Sequence, residues 1–168
     1  MTRPAVVEMC PSPRVRLFLA LLAVVALVIA SYLTYASVSA GASPVGCGAE
    51  LNCGKLLASK WSKFSDMPVS AMAVVVYGVM LGALAQIHAN SLQMRQVAWI
   101  ILPACAASVL GAAGWFIYVP IRPADAICPY CMFDHICGIV LVALILFHAP
   151  IGVRSRYDAS APVKLSGM

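Results

Sequence analysis

Four apolar stretches, each roughly 20 residues long, decide most of what this chain can become. They are LFLALLAVVALVIASYLTYASV from Leu17, PVSAMAVVVYGVMLGALAQI from Pro68, VAWIILPACAASVLGAAGWFIYV from Val97, and the segment from Ala126 to Phe147. Lipid offers no water to unpaired backbone groups, so each span must satisfy its own N–H and C=O groups as a helix. Hydrophobic residues make up 62% of the 168-residue chain and charged residues 10%. A water-soluble core cannot hide that much apolar surface. The expected fold class is all-α, an integral-membrane four-helix transmembrane bundle. Pro103, Gly111 and Gly114 in the third span predict a kink and close helix contacts there.

Four spans put both termini on one side. Arg3, Arg14, Arg16, Arg95, Arg154, Arg156 and Lys164 then share that side, against Lys55, Lys60, Lys63 and Arg122 opposite. The positive-inside rule makes the first side cytoplasmic. The expected organisation is a basic cytoplasmic tail over 1–16, a membrane domain over 17–148 with an outer loop at about 39–66, and a cytoplasmic tail over 149–168. SVSA at 37–40 resembles a signal-peptidase site, but the apolar run before it is longer than a typical signal core, so the first span is read as retained. The net charge of +5 comes with no basic patch interleaved with aromatics, and no nucleic-acid partner is expected.

The outward loop carries CGAELNC and the last span opens with CPYC, so four cysteines converge on the oxidising side of the membrane. Seven cysteines leave at least one unpaired. Cys10 falls in the tail, Cys105 in mid-span and Cys137 off the face shared by Cys128 and Cys131, and all three are read as inert. Pro129 suits the first helical position, which makes Cys128 a cap residue and puts Cys131 in the first turn. Unpaired N–H groups there stabilise a thiolate. A C-x-x-C pair at a helix start serves reversible redox chemistry, a static disulfide or half of a zinc site. Cys47 and Cys53, flanked by Gly46, Gly48 and Gly54, can close a disulfide on a loop that moves, whereas C-x5-C is wider than common structural zinc spacings.

In GKLLASKWSKF after the loop cysteines, Leu57, Trp61 and Phe64 share one helical face, which predicts a short interfacial amphipathic helix serving as anchor, lid or both. His135 lies on the helical face of Cys128 and Cys131, about 10 Å below the helix start. It can contact a ligand carbonyl, move a proton or simply bond a neighbouring helix. Asp134, beside that face, is expected to snorkel or to pair with another helix.

These ordered motifs, CGAELNC, then GKLLASKWSKFSDMPVSAMAVVVYG, then CPYC, resemble the vitamin K epoxide reductase family, in particular its bacterial members, over about residues 17–148. The resemblance implies that Cys47 and Cys53 are a shuttle pair and Cys128 and Cys131 a quinone-proximal pair. It also implies that Ser59 and His135 lie on the quinone side, with Cys53 meeting a protein partner and Cys47 reaching the C-x-x-C. Where the family commonly has glycine before its hydrophobic-proline step, this chain has Asp66. The implied function is a membrane thiol oxidase: it re-oxidises a separate thioredoxin-fold dithiol oxidase and passes electrons to the quinone pool, ubiquinone or menaquinone. The implied place is the inner membrane, with the site facing outward. The alternatives are a quinone or epoxide reductase, and a non-catalytic scaffold with static disulfides or a zinc site.

Overall fold

The computed structural model describes residues 11–39, 44–45, 47, 53–65, 67–87, 91–119 and 127–148. Both expected tails beyond Pro11 and His148, with Cys10, Arg3, Arg154, Arg156 and Lys164, lie outside the described residues, as do Asp66 and Arg122. Helix α1 spans Pro13–Val38, α2 Cys53–Ala58, α3 Val69–Gln86, α4 Leu92–Val119 and α5 Pro129–His148. Strands β1, Lys63–Phe64, and β2, Met67–Pro68, form a two-stranded antiparallel hairpin between α2 and α3. Helices α1, α3, α4 and α5 are long and apolar enough to cross a membrane, as the sequence led us to expect.

Local chemistry sets the helix ends. Ser12 caps α1 by accepting a hydrogen bond from the Val15 N–H at 3.4 Å, and Pro13 fills the first helical position, where its missing N–H costs nothing. Pro129 does the same for α5, and the Cys128 carbonyl accepts the Met132 N–H at 3.0 Å. The four long helices close a ring in which α1 and α4 each pack on both α3 and α5. Along α1 the buried stripe reads Leu19, Ala23, Ala26, Ala30, Leu33 and Ala36. Steps of three and four residues keep it on one face, and its alanines let neighbouring backbones approach closely. Leu17 is 71% exposed and Phe147 84% exposed. So many large apolar side chains exposed along the long helices suit a surface covered by lipid.

Two expectations about α4 meet different outcomes. The helix runs on through Pro103, but Gly111 and Gly114 are exposed and a Cβ at either would touch nothing within 4 Å. The close approach is at Gly138 on α5, where a Cβ would lie 2.7 Å from the Tyr77 hydroxyl oxygen and 2.8 Å from Val109 Cγ1.

The outer loop is also built differently from the single helical face of Leu57, Trp61 and Phe64. Helix α2 does bury Leu56 and Leu57 while exposing Lys55, but it stops at Ala58. A 3-10 turn over Lys60–Ser62 follows, and Phe64 sits exposed in β1. Ser62 is the cause. Its buried hydroxyl donates to the Leu57 carbonyl at 2.6 Å and lies 2.9 Å from the Ser59 carbonyl, satisfying helix-end acceptors that another helical turn would otherwise claim. Trp61 instead meets Trp115 of α4, with ring centroids 6.0 Å apart.

Candidate redox site

The first turn of α5 fixes one cysteine pair. Cys128 is fully buried at the cap and Cys131 is half-buried one turn on. The Cys131 thiol donates to Cys128 Sγ at 2.7 Å, and the Cys131 backbone N–H points at the same sulfur from 3.3 Å. The hydrogen bond from the Cys131 side chain, outweighing burial and helped by backbone N–H groups, draws the Cys128 thiol below its usual value. This favours the thiolate form of Cys128.

The second pair lies directly over it. Cys47 and Cys53 form a disulfide with Cα atoms 6.1 Å apart. Cys53 opens α2, is 1% exposed, and shares one apolar cluster with Cys128, Leu33, Ala36, Leu56 and Leu57. Its sulfur rests 3.8 Å from the Ile127 carbonyl oxygen, a contact only, because a disulfide sulfur has no proton to donate. Cys47 is half-buried at the edge of the cluster. Cys47 is thus the more accessible sulfur of the pair and Cys53 the more deeply packed one, with both set against the cluster that holds Cys128. Two tyrosines seat the loop ahead of Cys47: the Tyr32 hydroxyl accepts the Val45 N–H at 2.9 Å, and the Tyr130 hydroxyl donates to the Val45 carbonyl at 2.6 Å. Their rings meet edge to face at 5.8 Å.

Below the cysteines lie two clefts, each with about 540 Å³ of empty space, part of it open to the surroundings. The first is lined by Cys131, His135, Asp134, Phe116, Leu33 and Ser62, among others. The second is lined by Tyr77 and Ser108, and shares Asp134 and His135 with the first. His135 stacks on Phe116 at 5.4 Å with the rings 25° apart. An apolar slot with a ring wall and a few polar groups suits a flat ring bearing carbonyl acceptors. Ser59 stands apart from the lining of both clefts, and its buried hydroxyl has no hydrogen-bond partner among the described residues. Cys105 and Cys137 are buried in the main core, away from the four-cysteine cluster. Among the described residues no group of three or more His, Cys, Asp or Glu side chains is arranged to hold a metal ion.

Asp134 does not snorkel, and no pairing partner for it is seen among the described residues. It is 5% exposed, and its Oδ1 has no hydrogen-bond partner among the described residues. The sequence did carry a signal for it, since Asp134 is the one acidic residue in the four spans. Tyr77 had a weaker signal, a polar tip in mid-span away from the interfaces that tyrosines favour. Nothing local to the sequence marks Ser62.

A helical bundle that spans the membrane and stacks a loop disulfide on a C-x-x-C pair at one end belongs to the class of membrane redox proteins. The family model described as the vitamin K epoxide reductase family matches residues 17–146, and the chain belongs to that family. Its members are membrane oxidoreductases whose chemistry joins disulfides and quinones. No curated protein and no solved structure matches the chain.

Proposed function

We propose that the protein is a membrane thiol oxidase that draws electrons from a separate thioredoxin-fold dithiol protein and delivers them to ubiquinone or menaquinone, supporting disulfide formation. The observation that carries this reading is the stacking of Cys53 on Cys128, with Cys131 on the wall of a cleft that also holds His135. A thiolate of the partner attacks Cys47, the accessible sulfur, and Cys53 leaves as the thiolate. The partner's second thiol resolves the mixed disulfide, leaving Cys47 and Cys53 reduced. Cys53 then attacks Cys128 of the oxidised C-x-x-C, and Cys131 leaves with the electron pair. Cys47 closes back on Cys53, which releases Cys128. Each step exchanges one sulfur–sulfur bond for another, so the relay needs only reach and a suitable order of potentials.

The quinone supplies the two-electron acceptor chemistry, and the protein supplies position and protons. His135 holds a carbonyl against the Phe116 wall, whereas Ser59, which the resemblance placed on the quinone side, stands outside both clefts. The membrane domain over 17–148 is inserted in an inner membrane with both tails cytoplasmic and the cysteine cluster outward.

The test is anaerobic mixing of purified protein with a reduced thioredoxin-fold partner and a short-chain quinone, following quinol by absorbance. Quinol matching partner dithiol consumed, one for one, supports the reading. A partner that stays reduced while both cysteine pairs stay oxidised would point to a static scaffold. His135→Ala should raise the quinone KM near tenfold, the worth of one hydrogen bond of about 1–1.5 kcal/mol, and leave exchange between the cysteine pairs intact.

A further inference from the structure

Asp134 is a buried carboxyl on the boundary between two clefts. One cleft contains Cys131 and the other contains Tyr77. Leaving Oδ1 without a partner in such a place is costly, and nothing in the packing of α5 demands an acid there. The groups around it are few: Tyr77 from α3, and Cys131, His135 and Cys137 from α5 itself. Helices α1 and α4 contribute no titratable lining to either cleft among the described residues.

We propose that Asp134 is the catalytic acid that protonates the reduced quinone ring. This rests on the quinone-reduction reading above. The balance explains the need. Thiol exchange proceeds through a thiolate, so a pair that reacts with Cys128 as the thiolate and Cys131 as the thiol releases two electrons but one proton. A quinone taking up two electrons needs two protons to leave as quinol. The Cys131 thiol supplies the first and Asp134 the second, ending as a carboxylate. An isolated buried carboxylate is costly, so Asp134 regains a proton from solvent before the next turnover.

The experiment compares wild type, Asp134→Asn and Asp134→Glu in lipid vesicles with a short-chain benzoquinone as the probe. In single turnover from the fully reduced protein, Asp134→Asn should form quinol about 100-fold more slowly, the usual loss when a general acid is removed. Asp134→Glu should restore most of the rate, which a purely steric role would not allow. Exchange between the loop and membrane pairs, trapped by acid quench without quinone, should stay at the wild-type rate in both variants. Quinone-free wild type should also show an infrared band of a buried protonated carboxylic acid at neutral pH, absent from Asp134→Asn. Asp134→Asn makes the assignment, Asp134 being the one acidic residue within the described helices. Wild-type quinol formation by Asp134→Asn would overturn the proposal, and so would an ionised Asp134 in the infrared spectrum, a measurement on wild type that stands if the variants fail to fold. Wild-type protein that exchanges disulfides but reduces no quinone would overturn the parent reading first, and this one with it.

Discussion

At the scale of single residues, chemistry was more legible than order. The four cysteines stood out because a relay needs closely spaced pairs, and CGAELNC and CPYC supply them. Which loop sulfur faces inward was hidden, because flexible glycine-containing flanks are neutral on the point and only packing of Cys53 among Leu33, Leu56 and Leu57 decides it. Two predictions belong here. In a Cys47→Ala, Cys131→Ala double variant, mild oxidant should link Cys53 to Cys128 at least about tenfold faster than it links Cys47 to Cys128 in Cys53→Ala, Cys131→Ala, since exchange needs sulfurs within reach. Peptide mapping of the linked product reads the outcome, and equal rates would remove the order proposed. The second concerns pH. The Cys128 thiol lies below its usual value chiefly through the Cys131 side-chain donor. Its thiolate should therefore persist below the usual thiol range and be lost only as pH falls through the lowered value. Thiolate absorbance of the reduced C-x-x-C, with both loop cysteines replaced by alanine, should show that midpoint, and Cys131→Ala should move it upward.

At the scale of elements, the spanning helices could be read from length and apolar content alone, because lipid leaves the backbone one solution. Their inward faces could not. Helices apolar on every side carry no periodic mark of which face meets a neighbour, so Gly111 and Gly114 looked like contact points while Gly138 passed unremarked. The outer helix misled for another reason. A pattern of Leu57, Trp61 and Phe64 fits a helix, but one hydroxyl at Ser62 ends the helix early and turns the chain into a hairpin. That hairpin carries Ser65 at φ 52°, a left-handed conformation few serines adopt. Gly138→Ala tests the packing that the sequence concealed. The added methyl drives into the Tyr77 hydroxyl and Val109, so thermal or denaturant unfolding in a fixed detergent should show a loss of about 1–3 kcal/mol, the usual cost of overpacking. Unchanged stability would mean that both side chains swing aside freely.

At the scale of the whole molecule, the bundle sets a topology that can be checked from outside the cell. After reduction, a membrane-impermeant maleimide applied to intact spheroplasts should label Cys47 readily and Cys53 slowly, in keeping with their burial, and leave Cys10 unlabelled. Labelling of Cys10 would turn the protein over and place its cysteines in the reducing compartment. One further consequence follows from the two tyrosines at Val45. Their two hydrogen bonds hold Val45 near the surface, while Cys53 is sunk among leucines beside the membrane pair. The disulfide is thus tethered at both ends, and a reagent arriving from outside meets Cys47 before Cys53.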